Sequence, residues 1–286
     1  MLVDKTLWFM FDCMPSEQGI PTDNDYITYC GLAILNWNEK FSSWKQYKKC
    51  SKKERRQQAN EICEALRSEE LIILPLIGFC KGNIAKLNGE QLSKELYGVN
   101  EFDATKKYEF FVEEFTLNKD RAFMYANYAA MISLLSWRAG QFAKLYNIQE
   151  VGFALDLLPG DHREDGHHPG LETMKEYVDG SDLLSSMWQD AKNEHNLTNI
   201  SFGYIDRDET PGDILSDWFA QAFHAGVNPE TFRINIKRNS EVRRREIADV
   251  GFTWIEVLKK TNKMNYFKPV VMEKIIDFSG SVLSKK

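Results

Sequence analysis

The sequence predicts a mixed α/β fold in which an antiparallel β-meander is followed by alternating helices and strands, with flanking helices. Three observations carry this. Apolar, β-branched and aromatic runs of strand length open the chain. Longer segments with apolar residues three and four apart come after them. The order of the two kinds of segment, β-β-β-α-β-α-β-α-β-α, is that of one mixed sheet with helices packed on it, not a clean parallel alternation.

The elements follow in turn. TLWFMFD at 6–12 is a short aromatic strand, and YITYCGLAILN at 26–36 pairs with it across a polar turn that holds Glu17, Asp23 and Asp25. KFSSWKQY at 40–47 alternates weakly and would complete the meander. A helix is expected over 52–70, because Ala59, Ile62, Cys63 and Leu66 recur at helical spacing on a charged background. LIILPLIGF at 71–79 reads as a buried strand whose Pro75 calls for a bulge or an edge position. Residues 90–120 read as helical pieces with loops, and 121–147 as the longest helix, with Met124, Tyr128, Met131, Leu135 and Phe142 on its apolar face. VGFALDLLP at 151–159 is a strand closed by Pro159 and Gly160, and a His-rich loop then runs to Pro169. Helices at 170–179 and 182–195, a strand at 199–206 and a helix at 213–225 complete a domain spanning 1–228. The remainder, 229–286, reads as a mainly helical extension packed on the same domain, with a helix at 240–261.

Composition bounds the function. The chain of 286 residues is 43% hydrophobic and 27% charged, as in soluble globular proteins. A net charge of −6 gives no global basic field, so any nucleic-acid contact must use local patches. The stretch 45–56, KQYKKCSKKERR, is one such patch, with Lys45, Lys48, Lys49, Lys52, Lys53, Arg55 and Arg56. The stretch 233–246 is the other, with Arg233, Lys237, Arg238, Arg243, Arg244 and Arg245. The cysteines number 5 and show no C-x-x-C pairing, so reduced thiols in a cytoplasm are expected. No leader-like apolar segment opens the chain, and no run approaches the roughly 20 apolar residues that span a bilayer, so no membrane partner is expected. Walker A, dinucleotide and G-x-S-x-G signatures are absent from the sequence.

Chemistry concentrates on acids at strand ends. Asp12 closes one strand and Asp156 sits near the end of another, on the same alternation as Gly152 and Ala154. Two carboxylates held side by side are stable mainly with a cation between them, and hard divalent ions take such oxygen ligands. The helix 213–225 supplies Asp213, Asp217, Gln221 and His224 on a stripe opposite its apolar face, which is expected to be solvated. The loop GDHREDGHHPG at 160–170 gathers Asp161, His162, Glu164, Asp165, His167 and His168. It is either a solvated turn or a source of proton transfer or metal ligands near neutral pH, with His162 and His168 the first to test.

These pieces together resemble the ribonuclease H-like superfamily. They are most similar to a bacterial domain group of unknown function that opens on a strand ending Asp-Glu-Ser-Gly. FMFD at 9–12, YITYCGLAIL at 26–35, FCKG at 79–82, the helix at 121–147, VGFALD at 151–156 and ILSD at 214–217 fall in the family's order over residues 6–225. The resemblance implies Asp12, Asp156 and Asp217 as ligands of Mg²⁺ or Mn²⁺ and a nuclease or related phosphodiester hydrolase activity. Cys13, Met14 and Pro15 stand where the family has Glu-Ser-Gly, and Ile214 where it has Gln. A catalytically silent module that binds nucleic acid or a protein partner is therefore the alternative, and an unrelated metallohydrolase built on the His-rich loop is a third.

Overall fold

The computed structural model describes residues 2–3, 6–14, 26–84, 107–109, 116–156, 168–205, 210–226, 245–261, 270–272, 275–276 and 282–283. Strands β1 (Leu2–Val3) and β2 (Thr6–Met14) form a short hairpin, and β2, β3 (Tyr26–Ile34) and β4 (Ile73–Lys81) form an antiparallel meander. Helix α1 (Lys52–Arg67) lies between β3 and β4 in the chain. A small hairpin of β5 (Lys107–Glu109) and β6 (Thr116–Asn118) precedes the long helix α2 (Lys119–Leu145). Strand β7 (Glu150–Asp156) then enters parallel to β2. Helices α3 (Pro169–Gly180) and α4 (Asp182–His195) lead to β8 (Asn199–Ile205), parallel to β7. After α5 (Pro211–Gly226) and α6 (Arg245–Lys260), β9 (Val270–Met272) adds to the far edge parallel to β4. The main sheet has the order β8-β7-β2-β3-β4-β9, with β1 beside β2. Two short strands, β10 (Ile275–Ile276) and β11 (Val282–Leu283), pair with each other.

Both faces of the sheet are buried, which is why its strands read as continuous apolar runs. Phe9, Phe11, Tyr29, Leu74, Leu76 and Phe153 pack with α2, α3 and α4. Cys30, Leu32, Ile34, Ile77 and Phe79 point the other way, into a core shared with α1, α5 and α6. Helix α6 lies against α1 and α5, so the C-terminal segment contributes to that core. Among the described residues, no helix is long and apolar enough to cross a membrane.

Several boundaries differ from the sequence reading for identifiable reasons. Residues 40–47 are not a strand: they hold one 3₁₀ turn, Glu39–Phe41, and the start of a second, Tyr47–Lys49. Phe41, Trp44 and Tyr47 recur every third residue and all enter one core, and Asn38 caps the first turn by accepting from Lys40 N at 3.0 Å. Helix α1 starts on a capping box, with Ser51 and Glu54 bonded reciprocally, and gives way at Glu69, whose φ is 59°. Residues 107–109 and 116–118 are extended where helix was expected. Pro75 is tolerated because β9 reaches only Gly78–Cys80, leaving that edge of β4 without a described strand partner at the proline.

Trp8 fixes the packing of β2 on the neighbouring parallel strands. Its indole lies across Gly152 of β7 and Gly203 of β8: a Cβ at Gly152 would sit 2.3 Å from Trp8 Cε3, and one at Gly203 2.7 Å from Cζ3. Gly152→Ala is expected to lower stability by about 1–3 kcal/mol through overpacking, measured by urea unfolding.

His195, in the last turn of α4, is 6% exposed and lies so close to α2 that a Cβ at Gly140 would come within 2.5 Å of its Cδ2. Trp137 stands edge-on to it with ring centroids 4.7 Å apart. Neither ring nitrogen meets a hydrogen-bond partner among the described residues. Burial holds the imidazole below its ordinary pKa, with Lys144 and Arg138 adding to the effect and Glu194 opposing it. A histidine that binds its proton less readily when folded stabilises the fold above its unfolded pKa of about 6.5 and loses that contribution as pH falls. Stability should therefore decline from about pH 6.5 downward, and His195→Leu should flatten that slope, as read from unfolding midpoints across the range.

Candidate functional site

The carboxyl ends of β2, β7 and β8 lie on one edge of the sheet, where open α/β sheets bind their ligands. Phe11 pairs with Leu155, so Asp12 and Asp156 follow at the next step on adjacent parallel strands, whose axes are about 4.8 Å apart. Asp12 is half-buried and its Oδ1 accepts from the Cys13 backbone N–H at 2.7 Å. It pairs across the meander with Cys30, whose thiol is pushed well above its ordinary pKa by burial first and by the Asp12 charge second. Asp156 is described through its backbone, as the last residue of β7 beside Ile205. On the α5 side of the sheet, the first turn of α5 rests on β2: a Cβ at Gly212 would lie 2.3 Å from Met10 Cγ.

The same edge carries an aromatic pair that the sequence did not announce. Tyr204, 42% exposed near the end of β8, is in register with Leu155. Its ring centroid lies 4.0 Å from that of His168, the residue that precedes α3 and its Pro169 at the first helical position. His168 is thus brought against Tyr204 by the entry into α3. In the sequence NISFGYID shows only a strand alternation, and the position of Tyr204 next to the strand's end is the one signal that marks it. His162 lies outside the described residues, as do Glu17, Asp23 and Asp25.

Asp217 has a different setting. The stripe expected to face water on α5 is roofed by the segment 45–49. Gln46 Nε2 donates to Asp213 Oδ2 at 2.5 Å and Lys48 N to Asp217 Oδ2 at 3.4 Å. Trp218 Nε1 donates to Lys45 O at 2.9 Å while the Tyr47 ring meets the Trp218 indole edge-on at 5.1 Å. At the helix end, His224 Nδ1 and Thr28 Oγ1 are 3.0 Å apart. Asp217 is 3% exposed, and burial pushes its carboxyl above the ordinary range against the opposing pull of Lys48, the Lys48 and Tyr47 peptide N–H groups and the Gln221 side chain. These partners make it a strut for the 46–49 turn. Among the described side chains, no group of His, Cys, Asp and Glu is arranged to hold a metal ion, and the Asp156 carboxylate falls outside that set.

The first basic cluster occupies the 3₁₀ turn and the start of α1. Lys45 pairs with Glu54 at 2.9 Å, and Arg55 donates to Tyr47 O at 3.1 Å with its guanidinium 4.2 Å from the Tyr47 ring centre. Lys48, Lys49, Lys52, Lys53 and Arg56 are exposed, so a cationic face stands at the N-terminal end of α1. Lys81, at the end of β4, lies with Nζ 5.7 Å from the Tyr26 ring centre. Arg243 and Arg244 lie outside the described residues, whereas Arg245 begins α6 and is exposed.

The fold and this edge define an α/β protein whose mixed sheet is covered on both faces and carries acids at or near the carboxyl ends of its adjoining parallel strands. Comparison with protein-family models, curated proteins and solved structures finds no match.

Removing the Asp217 carboxylate would take this acceptor from the Lys48 and Tyr47 peptide N–H groups. Asp217→Ala should lower stability by about 1–3 kcal/mol, measured by urea unfolding. An aspartate whose folded pKa is raised favours folding below the unfolded pKa of about 4 and loses that contribution as pH rises through the folded value. Asp217→Asn should therefore remove a fall in stability on going up from about pH 4.

Proposed function

We propose that the chain is a ribonuclease H-like, divalent-metal-dependent nuclease or related phosphodiester hydrolase. The observation that carries this is the sheet order β4-β3-β2-β7-β8. It is an antiparallel meander whose first strand is flanked by a later parallel strand, with Asp12 and Asp156 at neighbouring tips. The superfamily places its first two metal-binding acids in this way, on the first strand of the meander and on the later strand beside it.

Hard oxygen donors at adjacent strand tips suit Mg²⁺ or Mn²⁺. Asp12 and Asp156 would hold the ions, which supply an activated water and charge stabilisation at phosphorus when bound. Asp12 Oδ1 accepts from the Cys13 N–H, which fixes the orientation of the carboxylate at the edge. His168, which packs on Tyr204 near the same edge, would be the candidate to carry a proton. The exposed lysines and Arg56 near the start of α1 offer a phosphate-binding surface for nucleic acid. Five free, buried cysteines fit a reducing, cytoplasmic setting.

A silent binding module on the same scaffold is the second reading. It is favoured by the ties of Asp217 to the 46–49 turn, which already account for that acid, and by Cys13-Met14-Pro15 after Asp12. The two separate in a cleavage assay on single- and double-stranded DNA and RNA with Mg²⁺ or Mn²⁺. The nuclease reading expects metal-dependent cleavage that falls about a hundred-fold or more in Asp12→Ala and in Asp156→Ala, since metal stabilisation is worth several kcal/mol. Binding without cleavage, unchanged in both variants, establishes the second reading in its place.

A further inference from the structure

We infer that Tyr204 is a stacking platform for an unpaired base, so that the carboxyl edge of the sheet takes single-stranded nucleic acid. This rests on the phosphodiester reading of the same edge and names its substrate class. Among the described residues large apolar side chains are mostly buried. Tyr204, 42% exposed, is an exception along with Trp137 and Leu145. Unlike them it stands on a strand, near the end of β8, in register with Leu155 beside the tip that carries Asp156. The ring is also braced. His168 packs on it with centroids 4.0 Å apart at 46°, leaving a supported aromatic surface instead of a swinging side chain. A ligand that stacks on such a ring need not first freeze it.

Position gives the ligand its form. Strand β8 is two strands from β2, about 10 Å at ~4.8 Å per strand. Nucleotides repeat every ~3.4 Å along a stacked strand and further apart when extended, so a base on Tyr204 would belong to a nucleotide only a few residues from a phosphate at Asp12 and Asp156. Tyr204 shares the alternation of Ile200 and Phe202, which join the core on the α2–α4 side, whereas Asp12 shares that of Trp8 and Met10 on the α5 side. Only at the edge do the two faces meet, so the ligand must pass over the strand tips. Bases in a duplex are already stacked on their neighbours, whereas an unpaired base is available to the ring. Base–aromatic stacking is tolerant of base identity, so little sequence preference is expected.

The test is equilibrium binding by fluorescence anisotropy, at one fixed salt concentration and in EDTA, so that no cleavage intervenes. The probes are a short labelled oligothymidylate and a duplex of the same length. Tyr204→Ala should weaken oligothymidylate binding by about five-fold to a hundred-fold. Tyr204→Phe and Tyr204→Trp should hold it near the wild-type value, and duplex binding should not separate the variants. Equal affinity of wild type and Tyr204→Ala overturns the inference, as does a Tyr204→Phe loss as large as that of alanine, or no binding of either probe by the wild type. Because metal is absent, loss of cleavage in Asp12→Ala bears on the metal site alone. Binding that depends on Tyr204 in a protein that never cleaves would retain the platform and remove the nuclease.

Discussion

The parallel pairing of β2 with β7 is the constraint on which the rest depends. It joins the β2-β3-β4 meander to a strand that lies more than a hundred residues after β2 in the chain. A crossover of that kind cannot be fixed by a tight turn; it is fixed by side chains. Phe9, Phe11 and Phe153 supply them on one face: Phe153 lies 6.1 Å from Phe9 and 5.9 Å from Phe11 between ring centroids. On the other face the Trp8 indole packs against Gly152 and Gly203. A shift of β7 by a single residue would place the Gly152 surface and the Phe153 ring on the wrong sides of the sheet. The register is therefore held from both faces, and the neighbouring positions of Asp12 and Asp156 are a consequence of it.

The α5 side of the sheet depends on a second device. The segment 36–50 folds its aromatics into the core and lays its backbone over the polar stripe of α5. Asp213 and Asp217 are bonded to side-chain and peptide N–H groups of that segment, and Trp218 returns a bond to Lys45 O. One turn of chain thus connects the start of α1, with its exposed cations, to the helix beside β2. The stripe is an interface inside the protein, and its acids are explained by the N–H groups they accept.

Much of the order of elements was legible in the sequence, because burial on both faces of a sheet leaves long apolar runs and amphipathic helices leave a three-to-four period. The first strand, the long helix and the strand ending at Asp156 all show these patterns, with boundaries shifted by a few residues. The misreading at 40–47 has a definite cause. Phe41, Trp44 and Tyr47 are spaced for successive 3₁₀ turns, but weak alternation over the same residues resembles a strand. The stripe on α5 was misjudged for a related reason: helical spacing shows which residues share a face, not what covers that face. Tyr204 was missed because a strand residue looks the same whether its ring enters the core or emerges at an edge.

By itself the sequence determined the composition of the layers, since the pattern of apolar residues dictates which segments must be covered and on how many sides. It also placed Asp156 at the end of its strand and Asp12 within two residues of the end of its own. Only the tertiary structure decided which strands are neighbours, because the aromatic contacts that select β7 as the partner of β2 join residues far apart in the chain. It also decided that His168 and Tyr204 meet, and that Asp217 turns to the backbone of the 46–49 segment. These are contacts between elements, and no local periodicity encodes them.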